Sequence, residues 1–450
     1  MGSPPPNDHL ASLSGGPATR AERASGRRRD LPLEVFTYAV SEVVAGPETG
    51  FSAGRLTVDC AAIERAALDE PGLLGLRVRV VRPGDPVRVT NVLDAVEPCV
   101  KAGDPTTTFP GAAGTLSLAG TGRTHRLAGV AVLPTADFRA SHDVTELSVY
   151  PDGDSFVDMD GPGAYLAAWS RTVNVVLSFE CDPAVSLAHI DSSIRAFTLR
   201  VARDLAATTL DAEPDDVETL ALPAVDAGLP SICVVLQVAS EGPLVDTYLY
   251  GRSLEGLVPT LLDPREVLDG ALTAGQYDWA GSRDPTAFFQ RSSLLLELLR
   301  RHGRDLDFAG VILALGYLPS AFEKRRSALL SARLAHQIGA DGAVLTTFQT
   351  GNSHTDTVLT CQACERLGVG TAVLFAETNA GLTDWVPEAD CVVSTGNEEE
   401  LVPEWRPQRV VGGETMYSGR SAGAAGPVPV VSYLGAVCQM GDMRLQAVSW

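Results

Sequence analysis

The chain has 450 residues, 45% hydrophobic and 20% charged, with a formal net charge of −21 and a pI of about 4.7. That length fits two or three domains with ordinary cores, and the acidic balance makes nucleic acid and anionic membrane surfaces poor partners. No run approaches the roughly 20 apolar residues of a membrane span, and the eight scattered cysteines predict a reduced, cytoplasmic chain, not a disulfide scaffold.

Residues 1–30 are rich in Pro, Gly, Ser and Ala and end in the basic run Arg27–Arg29. They lack an apolar h-region, which predicts a disordered tail and no signal peptide. Residues 31–190 predict a β-rich domain. LEVFTYAVSEVV alternates, LRVRVVRPGDPVRVTNVLDAVEP reads strand, Arg-Pro-Gly-Asp turn, strand, and RTHRLAGVAVLP reads as another strand.

Residues 191–299 predict an α/β middle region. IRAFTLRVARDLAATTL carries helical periodicity and LPSICVVLQVAS reads as a buried strand. The stretch from Asp246 to Pro285 is dense in Gly, Pro, Asp and Tyr between apolar flanks. It predicts a buried or ligand-facing connection, or a place where the chain is cut or modified.

Residues 300–450 predict a doubly wound, mostly parallel α/β domain with closing strands after Pro427. Apolar strands (FAGVILALG, DGAVLTTF, GTAVLFAE) alternate with helices, which requires a sheet covered on both faces. Ser320 is the expected N-cap and Gly339 the expected stop of one helix. Ligands of such sheets sit beyond the carboxyl ends of strands.

Three constellations carry possible chemistry. The loop Gly351-Asn352-Ser353-His354-Thr355-Asp356 opens a helix, so its residues either cap the helix or hold an anion at its N-terminus. Arg123 and His125, with Asp94, Glu97, Asp158 and Asp160, supply a carboxylate-binding guanidinium, a base and acids, or else ordinary surface ion pairs. Cys361-Gln362-Ala363-Cys364 lies inside a predicted helix without a second ligand pair, which favours two core cysteines over zinc or redox chemistry. No metal site is expected. A nucleophile elbow, a P-loop and a strand-linked GxGxxG are missing, which disfavours hydrolase, NTPase and nicotinamide chemistry.

Several strings occur in an order that resembles one family: VVRPGDPVRVTNVLDAVEP, the FPG turn, GRTHRLAGVAV, DMDGPGA, DTYLYG, PREVLDGAL, RHGRDLDFAGVILA and the Gly351–Asp356 loop. The resemblance is to the proprotein subunit of component B of the glycine/sarcosine/betaine reductases, with D-proline reductase as a more distant relative. It covers about residues 31–412. It implies an oxidoreductase subunit acting on a small amine or amino-acid-derived ligand, together with a cysteine- or selenocysteine-bearing partner subunit. It also implies an internal Asn-Cys bond that breaks after the PxEVxDGA segment, turning the Cys into a pyruvoyl group that takes up the substrate amine.

Here Gln276-Tyr277 stands where Asn-Cys is expected, and no cysteine lies between Cys233 and Cys361. A tyrosine hydroxyl cannot reach its own preceding carbonyl through a five-membered ring. Ser282 is the nearest chemically competent side chain. The expectation is an intact chain without pyruvoyl or any other cofactor. Asp94, Glu97 and His125 are the expected acid–base residues. Asp246, Tyr250, Glu266 and Asp269 carry over from the family segment as catalytic or turn-shaping residues. Arg123, Gly351, Asn352, Thr355 and Asp356 are the expected substrate-binding set. A non-catalytic scaffold for the partner subunit is the alternative.

Overall fold

The computed structural model describes residues 31–137, 155–225, 228–276, 283–348, 351–377, 388–413, 426–440 and 446–448. The front half holds β1 (Leu33–Ala39), helix α1 (Cys60–Ala67), β2 (Leu73–Val81), β3 (Val87–Thr90), β4 (Cys99–Lys101), β5 (Gly122–Ala128), β6 (Val130–Ala136), β7 (Phe156–Asp158) and β8 (Val173–Cys181). Helix α2 (Leu187–Ala207) and β9 (Asp216–Leu220) complete it. Strands β9, β1, β5 and β4 form one sheet, and β2, β8 and β6 form another. RTHRLAGVAVLP is two strands, not one. Gly129 separates β5 from β6 at φ +87°, and a Cβ there would stand 2.9 Å from the Val40 carbonyl oxygen. A residue with a side chain would be strained at that corner, so glycine lets the chain leave one sheet for the other.

The back half begins with β10 (Ser231–Val238), β11 (Val245–Leu249), β12 (Thr260–Leu262), α3 (Pro264–Leu268) and β13 (Leu272–Gln276). It continues through α4 (Thr286–Gln290), α5 (Ser293–Arg301), β14 (Asp307–Leu315), α6 (Ala321–Ile338), β15 (Gly342–Thr346), α7 (Asn352–Arg366), β16 (Gly370–Glu377), β17 (Cys391–Asn397), β18 (Arg409–Val411) and β19 (Gln446–Val448). A mixed seven-stranded sheet has the order β12-β14-β10-β15-β16-β17-β19. Its five inner strands run parallel, and both edges pair antiparallel. Its near-continuous apolar strands match burial on both faces. Ser320 caps α6 through its hydroxyl and Gly339 ends it in the left-handed conformation, as the sequence predicts. Helix α7 starts at Asn352 with no side-chain cap.

The sheet takes its strand β10 from the residues read as a middle region, so that region and the C-terminal region share one sheet. Strand β18 in turn leaves for the front half and pairs with β3. One apolar cluster joins Leu33, Val89 and Val176 to Leu236, Val311 and Leu313. The two halves therefore share a core, and Leu254, Leu262, Leu268, Leu272 and Ala274 of the Asp246–Pro285 stretch pack into it. No helix among the described residues is long and apolar enough to cross a membrane.

Candidate functional site

Strands β11 and β13 pair antiparallel, with Asp246 opposite Gly275 and Tyr248 opposite Thr273. Beyond Gln276 the chain returns to the described residues at Arg283, and buried contacts anchor it on that side. Asp94 Oδ1 accepts the N–H groups of Ala95 and Thr286, both at 2.8 Å. Asp94 Oδ2 accepts the Thr286 hydroxyl at 2.6 Å, and that hydroxyl accepts the Ala274 N–H at 2.9 Å. The Asp94 carboxylate thus ties the start of α4 to β13 through Thr286. Burial pushes its pKa up to about 7, although the Thr286 and Ala95 donors and the charge of Arg283 pull the other way.

Arg283 donates to the Val92 carbonyl at 3.2 Å. The Gln439 amide donates to Asp284 and to the Gln237 carbonyl. Gln237 lies near the end of β10, where the order of the parallel strands reverses between β14 and β15. The Asp284 arm is therefore held at the position where ligands of open α/β sheets collect.

A cavity of about 20 Å³ opens beside β13, lined in part by Asp94, Asp191, Arg195, Thr198 and Gly275. That is room for about one water molecule. Asp191, Arg195 and Thr198 come from one face of α2, at i, i+4 and i+7. Tyr248 donates its hydroxyl to Asp191 Oδ2 at 2.6 Å, and the Arg195 guanidinium carbon sits 3.5 Å from the Tyr248 ring centroid. Burial raises the Asp191 pKa, opposed by the charge of Arg195 and the Tyr248 bond. Burial, followed by the charge of Asp246, pushes Glu241 up to about 7. Arg195 Nε and Thr198 Oγ1 are buried without a hydrogen-bond partner among the described residues. A larger concavity of about 480 Å³ lies on the outer side of α1 and β2, lined by surface residues such as Glu64 and Arg77. It lacks the convergent buried groups of the smaller one.

The sequence-derived candidates divide between several places. Asp94 lines the cavity. Asp246 lies on β11 and closes a turn, accepting Ser240 Oγ at 2.9 Å and the Gly242 N–H at 3.0 Å. Glu97 makes ion pairs with Arg126 at 2.9 Å and Arg291 at 3.2 Å. His125 stacks on Phe36 and contacts Thr209, and burial lowers its pKa. Arg123 is half exposed, lies over the Phe36 ring and stands 3.8 Å from Glu34.

Glu266 completes the capping box of α3 with Asp263 and accepts the Tyr250 hydroxyl at 2.5 Å. Asp269 accepts Lys101 Nζ at 2.6 Å, the Gly120 N–H at 2.7 Å and the Thr124 hydroxyl at 2.6 Å. At the start of α7, Gly351, Asn352 and Thr355 are exposed. Asp356 is buried and pairs with Lys324 at 2.7 Å. The contacts of Arg123 with Glu34 and Phe36 lie on the front-half sheet, so the expected substrate-binding set does not form one cluster. Asp158 makes a buried bidentate pair with Arg88, while Asp160 is exposed. Tyr277 and Ser282 lie outside the described residues, as does the side chain of Gln276. Cys361 and Cys364 are buried, and desolvation pushes their thiols up to about 11 and about 12, the opposite of an activated thiolate.

Sequence reasoning passed over Asp191, Arg195, Thr198, Tyr248 and Thr286. A signal for three of them was present. Asp191, Arg195 and Thr198 fall on the stripe of α2 that also carries Ile190, Ile194 and Val201, and polar residues on a buried stripe require partners or a ligand. Tyr248 and Thr286 gave no such signal, because the β11–β13 register places the first and contacts with Asp94 and Ala274 place the second.

These features define a mixed α/β protein with a small cavity at the seam of its two halves, where four polar side chains meet apolar ones beside β13. The family of glycine/sarcosine/betaine reductase component B subunits matches residues 31–438, and the chain belongs to that family. Among curated relatives, the glycine reductase complex component B subunits alpha and beta of Peptoclostridium acidaminophilum are 29% identical, over 83% of this chain and 87% of the relative. The betaine reductase complex component B subunit alpha of the same organism is 31% identical, over 88% of this chain and 91% of the relative. The component B protein of Acetoanaerobium sticklandii glycine reductase is 27% identical, over 85% and 89%. No solved structure matches.

Proposed function

We propose that this chain is the component-B-type subunit of a reductase system and binds a small amine or amino-acid-derived substrate for reductive C–N cleavage or related chemistry. It works with a cysteine- or selenocysteine-bearing partner subunit in the cytoplasm, and its seven-stranded sheet serves as the doubly wound half of the fold. The cavity beside Gly275 is the substrate-facing site, with Asp94, Asp191, Arg195 and Tyr248 around it.

The family's pyruvoyl group does not fit the residues present. Its formation needs a nucleophile on Cβ at the position after Gln276, and a tyrosine stands there. All eight cysteines lie elsewhere, Cys233 in β10 and Cys361 in α7 being the nearest in sequence on either side. Thr273 lies in β13 ahead of the expected bond, and the Thr286 hydroxyl is committed to Asp94. The chain therefore stays whole, and this missing cysteine is the observation that carries the reading. Intact-protein mass spectrometry tests it. A single species near 47.3 kDa is expected, whereas two pieces with a ketoacyl end near residue 277 or 282 would restore the ordinary reductase chemistry.

The small size of the cavity favours a second reading, a non-catalytic scaffold for the partner subunit. Calorimetric titration with N-substituted glycines separates the two. Binding supports the first, and co-purification of a second subunit without binding supports the second.

A further inference from the structure

Helix α6 buries Ala328, Ser331, Ala332 and Ala335, and Ala332 and Ala335 join the apolar cluster that holds Ile312 and Leu345 of the seven-stranded sheet. Its opposite face carries Phe322, Arg326, Leu329 and Arg333, at i, i+4, i+7 and i+11. At that spacing the four side chains fall on one stripe, roughly 16 Å long at the rise of an α-helix. Phe322 is 75% exposed and Leu329 61%, and no large hydrophobic side chain among the described residues is more exposed than Phe322. Exposed apolar residues scattered singly are ordinary on a surface. Here two of them alternate with arginines along one ridge.

The charge of that ridge runs against the rest of the molecule. The chain holds 56 acidic residues against 35 basic ones. Arg326 and Arg333, with Arg325 flanking them, are exposed, and none of the three makes an ion pair among the described residues. Elsewhere on the surface Arg55, Arg300 and Arg301 each pair with a carboxylate. Glu323 is the only acid of α6. It lies about a quarter turn off the stripe and accepts the Ser320 hydroxyl at 2.8 Å.

We propose that this face of α6 docks an acidic amphipathic helix of a partner protein. Apolar side chains of that helix cover Phe322 and Leu329, and its carboxylates pair with Arg326 and Arg333. Charge complementarity selects the occupant. A second copy of this chain would bring the same arginines to an isologous contact and no carboxylate on the stripe. A nucleic acid or an anionic membrane would meet three arginines on a molecule whose net charge of −21 repels it. A ridge of this spacing is what seats in the groove of another helix. The inference stands apart from the cavity beside Gly275.

The test uses the full-length chain and a helical peptide of about 20 residues with Leu and Glu alternating at the same spacing, together with a twin in which Lys replaces Glu. The acidic peptide is expected to bind at least about tenfold more tightly than its twin, and less tightly as salt rises. Arg326→Glu with Arg333→Glu, and separately Phe322→Ser, are each expected to weaken it about tenfold. Neither should lower the thermal midpoint, because the side chains are exposed and the arginines unpaired. Arg79→Glu makes the same charge change at an exposed position of β2 and should leave binding unchanged. In the cells that make the chain, a photoreactive benzoylphenylalanine in place of Leu329 is expected to crosslink to a partner segment that mass spectrometry identifies as acidic and helical. The proposal is overturned if the two peptides bind alike, or if Arg79→Glu weakens binding as much as the α6 variants do. It is overturned equally if the crosslink joins two copies of this chain, reaches a segment without acidic residues, or does not form, or if vesicles containing phosphatidylserine take the place of the acidic peptide.

Discussion

Two buried polar regions lie along the Asp246–Pro285 stretch, and they are built on opposite plans. Around Asp269, Lys101 Nζ donates to Asp269, to the Thr121 carbonyl and to Thr124, while Asp269 also takes the Gly120 N–H and the Thr124 hydroxyl. Donors and acceptors are matched there. Around Gly275, the cavity leaves Arg195 Nε and Thr198 Oγ1 without hydrogen-bond partners among the described residues, next to open space. Leaving a buried polar atom unmatched costs about 1–3 kcal/mol. A saturated cluster offsets its own burial and fixes the turn around it. An unsaturated one is offset only when a ligand or water arrives. By this criterion Tyr250, Glu266 and Asp269 brace the segment, and the proposed function places its working face around Gly275.

The largest effect should come from breaking the saturated side. Asp269→Ala leaves the Lys101 ammonium with its carboxylate partner gone, and removing one partner of a buried pair costs about 3–5 kcal/mol. Urea denaturation should show a large fall in midpoint at unchanged slope. If Asp269→Ala instead keeps its stability and loses ligand binding, the contrast between the two regions collapses.

A smaller effect should appear as pH dependence on the unsaturated side. The folded-state pKa of Asp94 is raised to about 7, above its unfolded value. Between about pH 4 and pH 7 the native state therefore holds a proton that the unfolded chain releases. Asp94 then makes stability fall as pH rises through that window, with no further change above it. Glu241, raised by burial to about 7 as well, adds a slope of the same sign. Asp94→Asn keeps an acceptor for the Thr286 and Ala95 N–H groups and should flatten part of the slope. Denaturation midpoints measured across pH 4–8 check this, and an unchanged slope would mean that Asp94 stays ionised in the fold.

The smallest effect is expected at Arg123. Its contact with Glu34 is 3.8 Å long between side chains that are 49% and 40% exposed. Such pairs contribute about 0–1 kcal/mol. Arg123→Ala should leave both stability and affinity for N-substituted glycines nearly unchanged. A loss of affinity would move the substrate-facing site to the front-half sheet, where the sequence alone places it.

Much of the fold was legible because its signals are local. The caps of α6 at Ser320 and Gly339, the apolar strands of the parallel sheet and the turn before β3 depend on neighbours in the chain. Gly129 was less legible. Only its closeness to Val40 shows that one apolar run serves two sheets. The membership of β10 in the C-terminal sheet was hidden for a related reason, since an apolar run states that a strand is buried but not which strands bury it. Of the residues singled out from sequence, Asp94 lines the cavity, while Asp246 accepts from Ser240 and Gly242 in a turn. Arg123, His125 and the Asn352 loop drew notice by residue type, yet their contacts are with Glu34, Phe36, Thr209 and Lys324.

The order of the family strings and the lack of a cysteine near Gln276 are properties of the linear chain, and sequence alone determines them because bond-forming capacity belongs to residue type and position. The meeting of Asp191, Arg195 and Thr198 with Tyr248, Gly275 and Asp94 was decided only in three dimensions. Those residues come from a helix and a loop of the front half and two paired strands of the back half. What joins them is the β11–β13 register and the shared core at the seam, both set by burial between parts of the chain that are remote in sequence.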